Sequence, residues 1–307
     1  MKKAILYSAV ATFVLFGCSD TSLNIIGAEK QVETSLQTGM STKEDAAYWY
    51  SGKAEITSFK LEQVRYGEIH EGTAVFVFVT EPFSPTNFVK ADQPSPSDVS
   101  VLKLNQTRKF NTGIYPDSIM TSSFLPFKQG DHSIKVSLSS QEWCGHMYME
   151  VRKQKTKNFQ VDIDSYFEGE SKQGYSSALA LMEDDVWTMI RIREDLPTGK
   201  ISMYPSLLAA RLLHIEYKPY ACTASVNNKG TSTFYTLEYP ELNRTLKIEF
   251  EQAHPHKIIA WTETNNSGFG SAKKQLTTTA TRMKTITSDY WNHNSVADST
   301  LRKELNL

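Results

Sequence analysis

The run Gly72-Thr73-Ala74-Val75-Phe76-Val77-Phe78-Val79-Thr80 is almost unbroken in β-branched and aromatic side chains. It has the length of a strand and a composition that favours the pleated backbone over a helix. Apolar residues fill both alternating sets of positions, so the strand is expected at the centre of a sheet with both faces covered. Further along the chain the pattern changes to strict alternation. Ile134, Val136 and Leu138 alternate with Lys135, Ser137 and Ser139, and Phe159, Val161 and Ile163 alternate with Gln160, Asp162 and Asp164. One apolar face per strand, repeated across short connections, describes antiparallel sheet.

The segments 234–239, 245–251 and 257–263 continue as a meander, with turns at Pro240-Glu241-Leu242-Asn243 and His254-Pro255, and Thr277 to Ile286 adds a further strand. Pro82 to Pro96 reads as a long loop and Asn265 to Ser271 as a glycine-containing hairpin loop. Helical signals are few. Ser41 or Thr42 can cap a short helix ending near Trp49, and residues 176–193 place Leu179, Met182, Val186, Met189 and Ile190 at helical spacing, which predicts one or two short helices. The expected fold class is mainly β: antiparallel, extended or curved sheets with a few short helices. Residues 48–172 form a first β-rich half. Residues 173–307 supply a helical connection and a second β-rich half, either continuous with the first or separate from it.

The chain opens with Met1-Lys2-Lys3, an apolar run from Ala4 to Phe16, and Leu15-Phe16-Gly17-Cys18 followed by Ser19 and Asp20. The run is too short to cross a hydrocarbon core as a helix, so residues 1–17 read as a signal peptide. Its end resembles the lipobox of bacterial lipoproteins, which makes Cys18 the expected lipidation site. Residues 18–47 then read as a polar tether, with the membrane reached through the N-terminal lipid. The 33 Lys and Arg against 34 Asp and Glu leave no basic excess for a nucleic-acid partner.

Candidate sites are sparse. Ser140-Gln141-Glu142-Trp143-Cys144-Gly145-His146 places a thiol and an imidazole two residues apart, on one face if the segment is a strand, with Trp143, Met147 and Met149 expected in the core. A nucleophilic thiol needs a base and an oxyanion hole, and zinc needs three or four ligands. Cys144 and His146 are therefore low-ranking catalytic or metal candidates beside a structural reading. In an oxidising compartment Cys144 and Cys222 are candidates for a disulfide, or simply small buried side chains. His254 and His256 flank a turn proline, Glu168 and Glu170 form one acidic pair, and Glu183, Asp184 and Asp185 suit the positive end of a helix. There is no Gly-x-Ser-x-Gly elbow, phosphate loop or His-Glu-x-x-His, and no cofactor is expected. Aromatic residues recur along the chain and either pack the sheet or line a concave site.

The segments 48–56, 65–68, 71–81, 110–116, 140–146 and 165–170, running from Tyr48-Trp49-Tyr50-Ser51-Gly52 to Ser165-Tyr166-Phe167-Glu168-Gly169-Glu170, together resemble a family of uncharacterised Bacteroidota lipoproteins. Some members have carried the label of the septum formation inhibitor Maf, but the Ser-x-Ser-Pro-Arg-Arg type motif of true Maf proteins is absent. The resemblance implies an envelope address and no known activity; Ser19, following Cys18, is compatible with release to the outer membrane. The function expected is non-enzymatic binding or assembly, for a hydrophobic or envelope ligand held in a sheet-lined concavity or for a protein partner. The alternative is an envelope hydrolase using Cys144 and His146.

Overall fold

The structure is a computed structural model and describes residues 43–127, 132–192 and 195–307. The signal peptide, Cys18 and the tether up to residue 42 lie outside the described residues. The strands, in chain order, are β1 (Ala54–Arg65), β2 (Glu68–Ser84), β3 (Val89–Lys90), β4 (Val99–Thr112), β5 (Tyr115–Pro126), β6 (Lys135–Glu142), β7 (Gly145–Lys153) and β8 (Asn158–Ser165). They continue as β9 (Gln173–Ala178), β10 (Leu181–Met182), β11 (Gly199–Tyr204), β12 (Tyr220–Lys229), β13 (Ser232–Tyr239), β14 (Arg244–Glu251), β15 (Ile258–Ser267) and β16 (Lys274–Ser288). Among the described residues four short helices accompany them: α1 (Lys43–Trp49), α2 (Glu183–Ile192), α3 (Leu207–Leu213) and α4 (Leu301–Glu304).

All the strands belong to one sheet, in the order β10-β11-β12-β13-β14-β15-β16-β1-β2-β4-β5-β6-β7-β8-β9, with β3 on the end of β2. The last strand pairs with the first, Ile56 opposite Ile286, so a single sheet runs through both β-rich halves. Neighbours are antiparallel except β10 and β11. The sheet is curved but not closed. Its two ends meet through side chains: the Ser177 and Tyr204 hydroxyls lie 2.6 Å apart, and Tyr204 donates to the Ala178 carbonyl at 2.8 Å.

The strand that decides the fold lies in mid-sheet, as its composition predicts. Ala74, Phe76 and Phe78 face the concave side and are buried. Val75, Val77 and Val79 face outward, where Leu305 and Leu307 of the C-terminal segment pack over them with Ile56 and Ile286. That cover explains a strand apolar on both faces at a place where no second sheet stacks. Gly72 is required by proximity: a Cβ there would meet the Lys109 carbonyl oxygen at 2.3 Å and the Phe110 Cβ at 2.8 Å.

The concavity is filled. Phe76 stacks on Trp261 with centroids 5.0 Å apart, Phe59 lies 4.9 Å from both rings, and Trp187 of α2 meets Trp261 edge-on at 5.4 Å. Buried aromatic rings carry much of the apolar area in such a core. Above and below them lie paired charges. Arg191 donates two bonds of 2.7 Å to the Glu55 carboxylate, Arg244 does the same to Glu183 at 2.5 and 2.7 Å, and Arg108 reaches Glu263 at 2.6 Å. Removing one partner of such a pair strands a charge in low dielectric at about 3–5 kcal/mol.

Several local expectations change. Residues 176–178 end strand β9, and only Glu183–Ile192 is helical, because Leu179 and Ala180 are the link that carries the chain across the open seam. Part of the proline-rich stretch remains paired, Phe83 with Lys90. Sequence reasoning missed α3. Its seven residues span barely two turns, too few for a period to show. Ser206 caps it by accepting from the Ala209 N–H at 3.2 Å.

Candidate ligand cavity at the hairpin end

The β1–β2, β4–β5, β6–β7, β8–β9, β11–β12, β13–β14 and β15–β16 connections all fall at one end of the curved sheet, as the antiparallel registers require. Helix α3 belongs to the β11–β12 connection and closes this end from inside. Its Leu207, Leu208, Ala209 and Ala210 are buried. Two cavities flank its C-terminal end and share His214.

The larger, about 410 Å³, lies between α3 and the inner faces of β7 and β8, where it is lined by Met147, Met149, Ile163, Arg211, His214 and Tyr217. The strand residues face it because β7 and β8 alternate: Met147, Met149 and Val151 point inward, and Met149 pairs with Ile163. Met147, Met149 and Ile163 give it one apolar wall, and polar groups converge from α3 and the segment after it and from Glu170, Gln173 and Tyr175 on the other side. Arg211 is only 4% exposed, and Nη1 stands 3.7 Å from the Glu170 carboxylate, beyond hydrogen-bond reach. Among the described residues neither Nε nor Nη1 of Arg211 has a hydrogen-bond partner, and the buried Tyr217 hydroxyl has none. Burial, then the charge of Arg65, pushes the Arg211 guanidinium below its ordinary value, while burial holds the Tyr217 phenol well above its own, so it stays neutral. Glu170 also pairs with the His214 ring.

The smaller cavity, about 280 Å³, is bordered by Arg65, Tyr66, Leu212 and Phe269. Arg65 donates to the Leu212 carbonyl at 3.1 Å and to the Tyr66 hydroxyl at 3.0 Å, so the last turn of α3, with its unsatisfied carbonyls, is tied to the β1 terminus. Tyr66 stacks on Phe269 across two turns, 5.7 Å apart. Tyr66, Ile114, Trp143, Tyr166 and Phe269 are all exposed on turns of this end, a ring of apolar side chains along it, of which Tyr66 and Phe269 border the smaller cavity.

The fingerprint from the sequence sits on that ring, differently placed than expected. Trp143 and Cys144 form the β6–β7 turn, and Trp143 is 69% exposed; only Met147 and Met149 reach the core. Gly145 leaves room for Tyr166, whose ring carbon a Cβ would approach to 2.6 Å. His146, in β7, is exposed. The two cysteines are unpaired: Cys144 is exposed at the turn and Cys222 is buried in β12, so the disulfide expectation is corrected. Glu142 accepts from the Cys144 backbone N–H at 2.6 Å. A hydrogen bond to the Glu142 carboxylate and its charge push the Cys144 thiol up, the wrong direction for a nucleophile. Burial pushes the Cys222 thiol up to about 11.

The other candidates separate. His254 lies 3.5 Å from Glu44, and the His256 ring is 3.2 Å from the Glu251 carbonyl, both at the opposite end of the sheet. Glu183, Asp184 and Asp185 open α2 as expected, but buried: Glu183 pairs with Arg244, Asp184 accepts from the Leu207 N–H at 3.1 Å and Asp185 from the Ser133 N–H at 3.2 Å. Among the described residues no three His, Cys, Asp or Glu side chains are placed to hold a metal. Glu170 alone of the acidic candidates borders the cavity. Arg211, the central residue here, was not singled out by sequence reasoning. The available signal was a lone charge within Leu207-Leu208-Ala209-Ala210-Arg211-Leu212-Leu213.

No family model matches this chain, and no curated protein matches it. Among solved structures it is similar to a beta-barrel-like protein of a domain of unknown function from Brucella abortus, at 8% identity and a TM-score of 0.45 over 77% of this chain and 98% of that one. A porin-like protein from Bacteroides uniformis aligns at 7% identity with a TM-score of 0.22, over 74% of this chain and 97% of that one.

Proposed function

We propose that this chain is an envelope lipoprotein, anchored through Cys18, whose body binds a small amphiphilic ligand in the cavity between α3 and strands β7 and β8, without catalysing its turnover. The observation that carries this reading is the composition of that cavity: methionine and isoleucine walls from the sheet, with buried donors left unsatisfied at one side. A buried donor without a partner costs about 1–3 kcal/mol, which a ligand acceptor offsets. The apolar ring of Tyr66, Ile114, Trp143, Tyr166 and Phe269 supports it, since it offers an apolar ligand or an envelope partner a surface where it leaves water. The Leu15-Phe16-Gly17-Cys18 pattern and the resemblance to Bacteroidota lipoproteins support the address. The hydrolase alternative loses its support at Cys144, whose thiol is exposed but not activated.

Native mass spectrometry of the full chain carrying Cys18→Ser, which needs no detergent, tests the binding reading. The expected spectrum shows a non-covalent adduct of amphiphile mass that leaves when the protein is denatured. Bare protein alone, before and after exposure to envelope lipid extract, contradicts it.

A further inference from the structure

We infer that the cavity selects ligands by an anionic head, a carboxylate or a phosphate, with Arg211 as its counter-charge. This rests on the binding reading above and names the ligand chemistry within it. Elsewhere in the core every buried guanidinium with a cavity nearby is answered: Arg244 by Glu183, Arg108 by Glu263. Arg65 is answered by the Leu212 carbonyl and Tyr66. Arg211 is the exception. It is 4% exposed and lines the larger cavity; its guanidinium lies over the Phe167 ring at 5.5 Å, its nearest carboxylate is Glu170 at 3.7 Å, and Nε and Nη1 have no hydrogen-bond partner among the described residues. An arginine remains charged under all ordinary conditions, so this site holds a positive charge with two open donors beside an apolar wall. A planar guanidinium with free donors is the group that reads a carboxylate or phosphate.

Glu170 tells where the head goes. It sits in the single helical turn Glu168–Glu170 of the β8–β9 connection, outside the core, and one of its oxygens has no hydrogen-bond partner among the described residues. It supplies a carboxylate from the rim without closing the bond, so it occupies the head position weakly and competes with an incoming anion. The alkyl part of the ligand then lies along Met147, Met149 and Ile163.

Calorimetric titration of the full Cys18→Ser chain with octanoate, octyl phosphate and 1-octanol separates the terms. Both anions, or the one whose head fits, are expected to bind about tenfold or more tighter than the alcohol, the worth of one charge-assisted contact. The better of the two names the head. Arg211→Gln is expected to bring anion and alcohol to the same affinity, and Glu170→Gln to tighten the anion more than the alcohol. Equal binding of octanol and the anions overturns the inference and leaves the cavity reading standing. No binding of any of the three overturns both. If Arg211→Gln does not fold, Glu170→Gln decides: unchanged or weaker anion binding counts against the inference.

Discussion

Asp184 shows how far a single residue in this core departs from its ordinary chemistry. Burial first, then the neighbouring Glu183 charge, raises its carboxyl well above the ordinary value, against the Leu207 N–H it accepts from. A carboxyl whose folded value is raised keeps its proton in the folded state while the unfolded chain releases it. Its effect is therefore a loss of stability as pH rises past the unfolded value of about 4. Asp184→Asn keeps an acceptor for Leu207 and removes the titration. The variant should melt a few degrees above the parent at neutral pH, the gap closing as pH falls toward 4 in a thermal melt series. A gap independent of pH would show that Asp184 is not the group responsible. Glu55 and Glu263 run the other way. Burial alone would raise them, but Arg191 and Arg108 outweigh it and hold both below the ordinary range. Their contribution is present above the unfolded value and disappears at acid pH. None of this was readable from the acidic triplet, which has the composition of a helix start and is one, but with all three side chains buried.

Elements were legible where a period had room to repeat. β6 and β8 follow their alternation, β2 follows its unbroken apolar run, and the turns at 240–243 and 254–255 fall where proline and asparagine put them. The β6–β7 region failed for a physical reason: alternation extended through Trp143 and Cys144, although Gly145 already marked a hairpin. α3 failed because a seven-residue helix is recognised by its cap and its composition rather than by period. Gly72 is the element-scale test. A side chain there must push the Lys109 carbonyl and Phe110, so β2 and β4 must part locally. Gly72→Val should cost about 1–3 kcal/mol as overpacking, measured by urea unfolding, with an unaltered midpoint contradicting the assigned register.

At the scale of the molecule, one open curved sheet wraps a solid core of aromatics and paired charges; two cavities flank α3 at the hairpin end, and another of about 510 Å³ lies on the outer face between Val75, Val77 and the C-terminal segment. The sequence led us to expect a sheet-lined concavity holding a ligand; the curved sheet is present, but its interior is filled by a continuous buried core. The sequence could not show that α2 and α3 fill the concavity, nor that Arg211 would reach its mouth, because both depend on where connections of the chain come to rest. The account therefore turns on whether the space beside α3 holds a ligand. Ile163→Trp fills that space from the β8 wall while its neighbours Met147 and Met149 yield as flexible side chains. The direct measurement is the amount of octanoate bound, by calorimetry, to folded Cys18→Ser chain with and without Ile163→Trp. The account predicts saturable binding at one site, abolished by Ile163→Trp; equal binding by both proteins would contradict it.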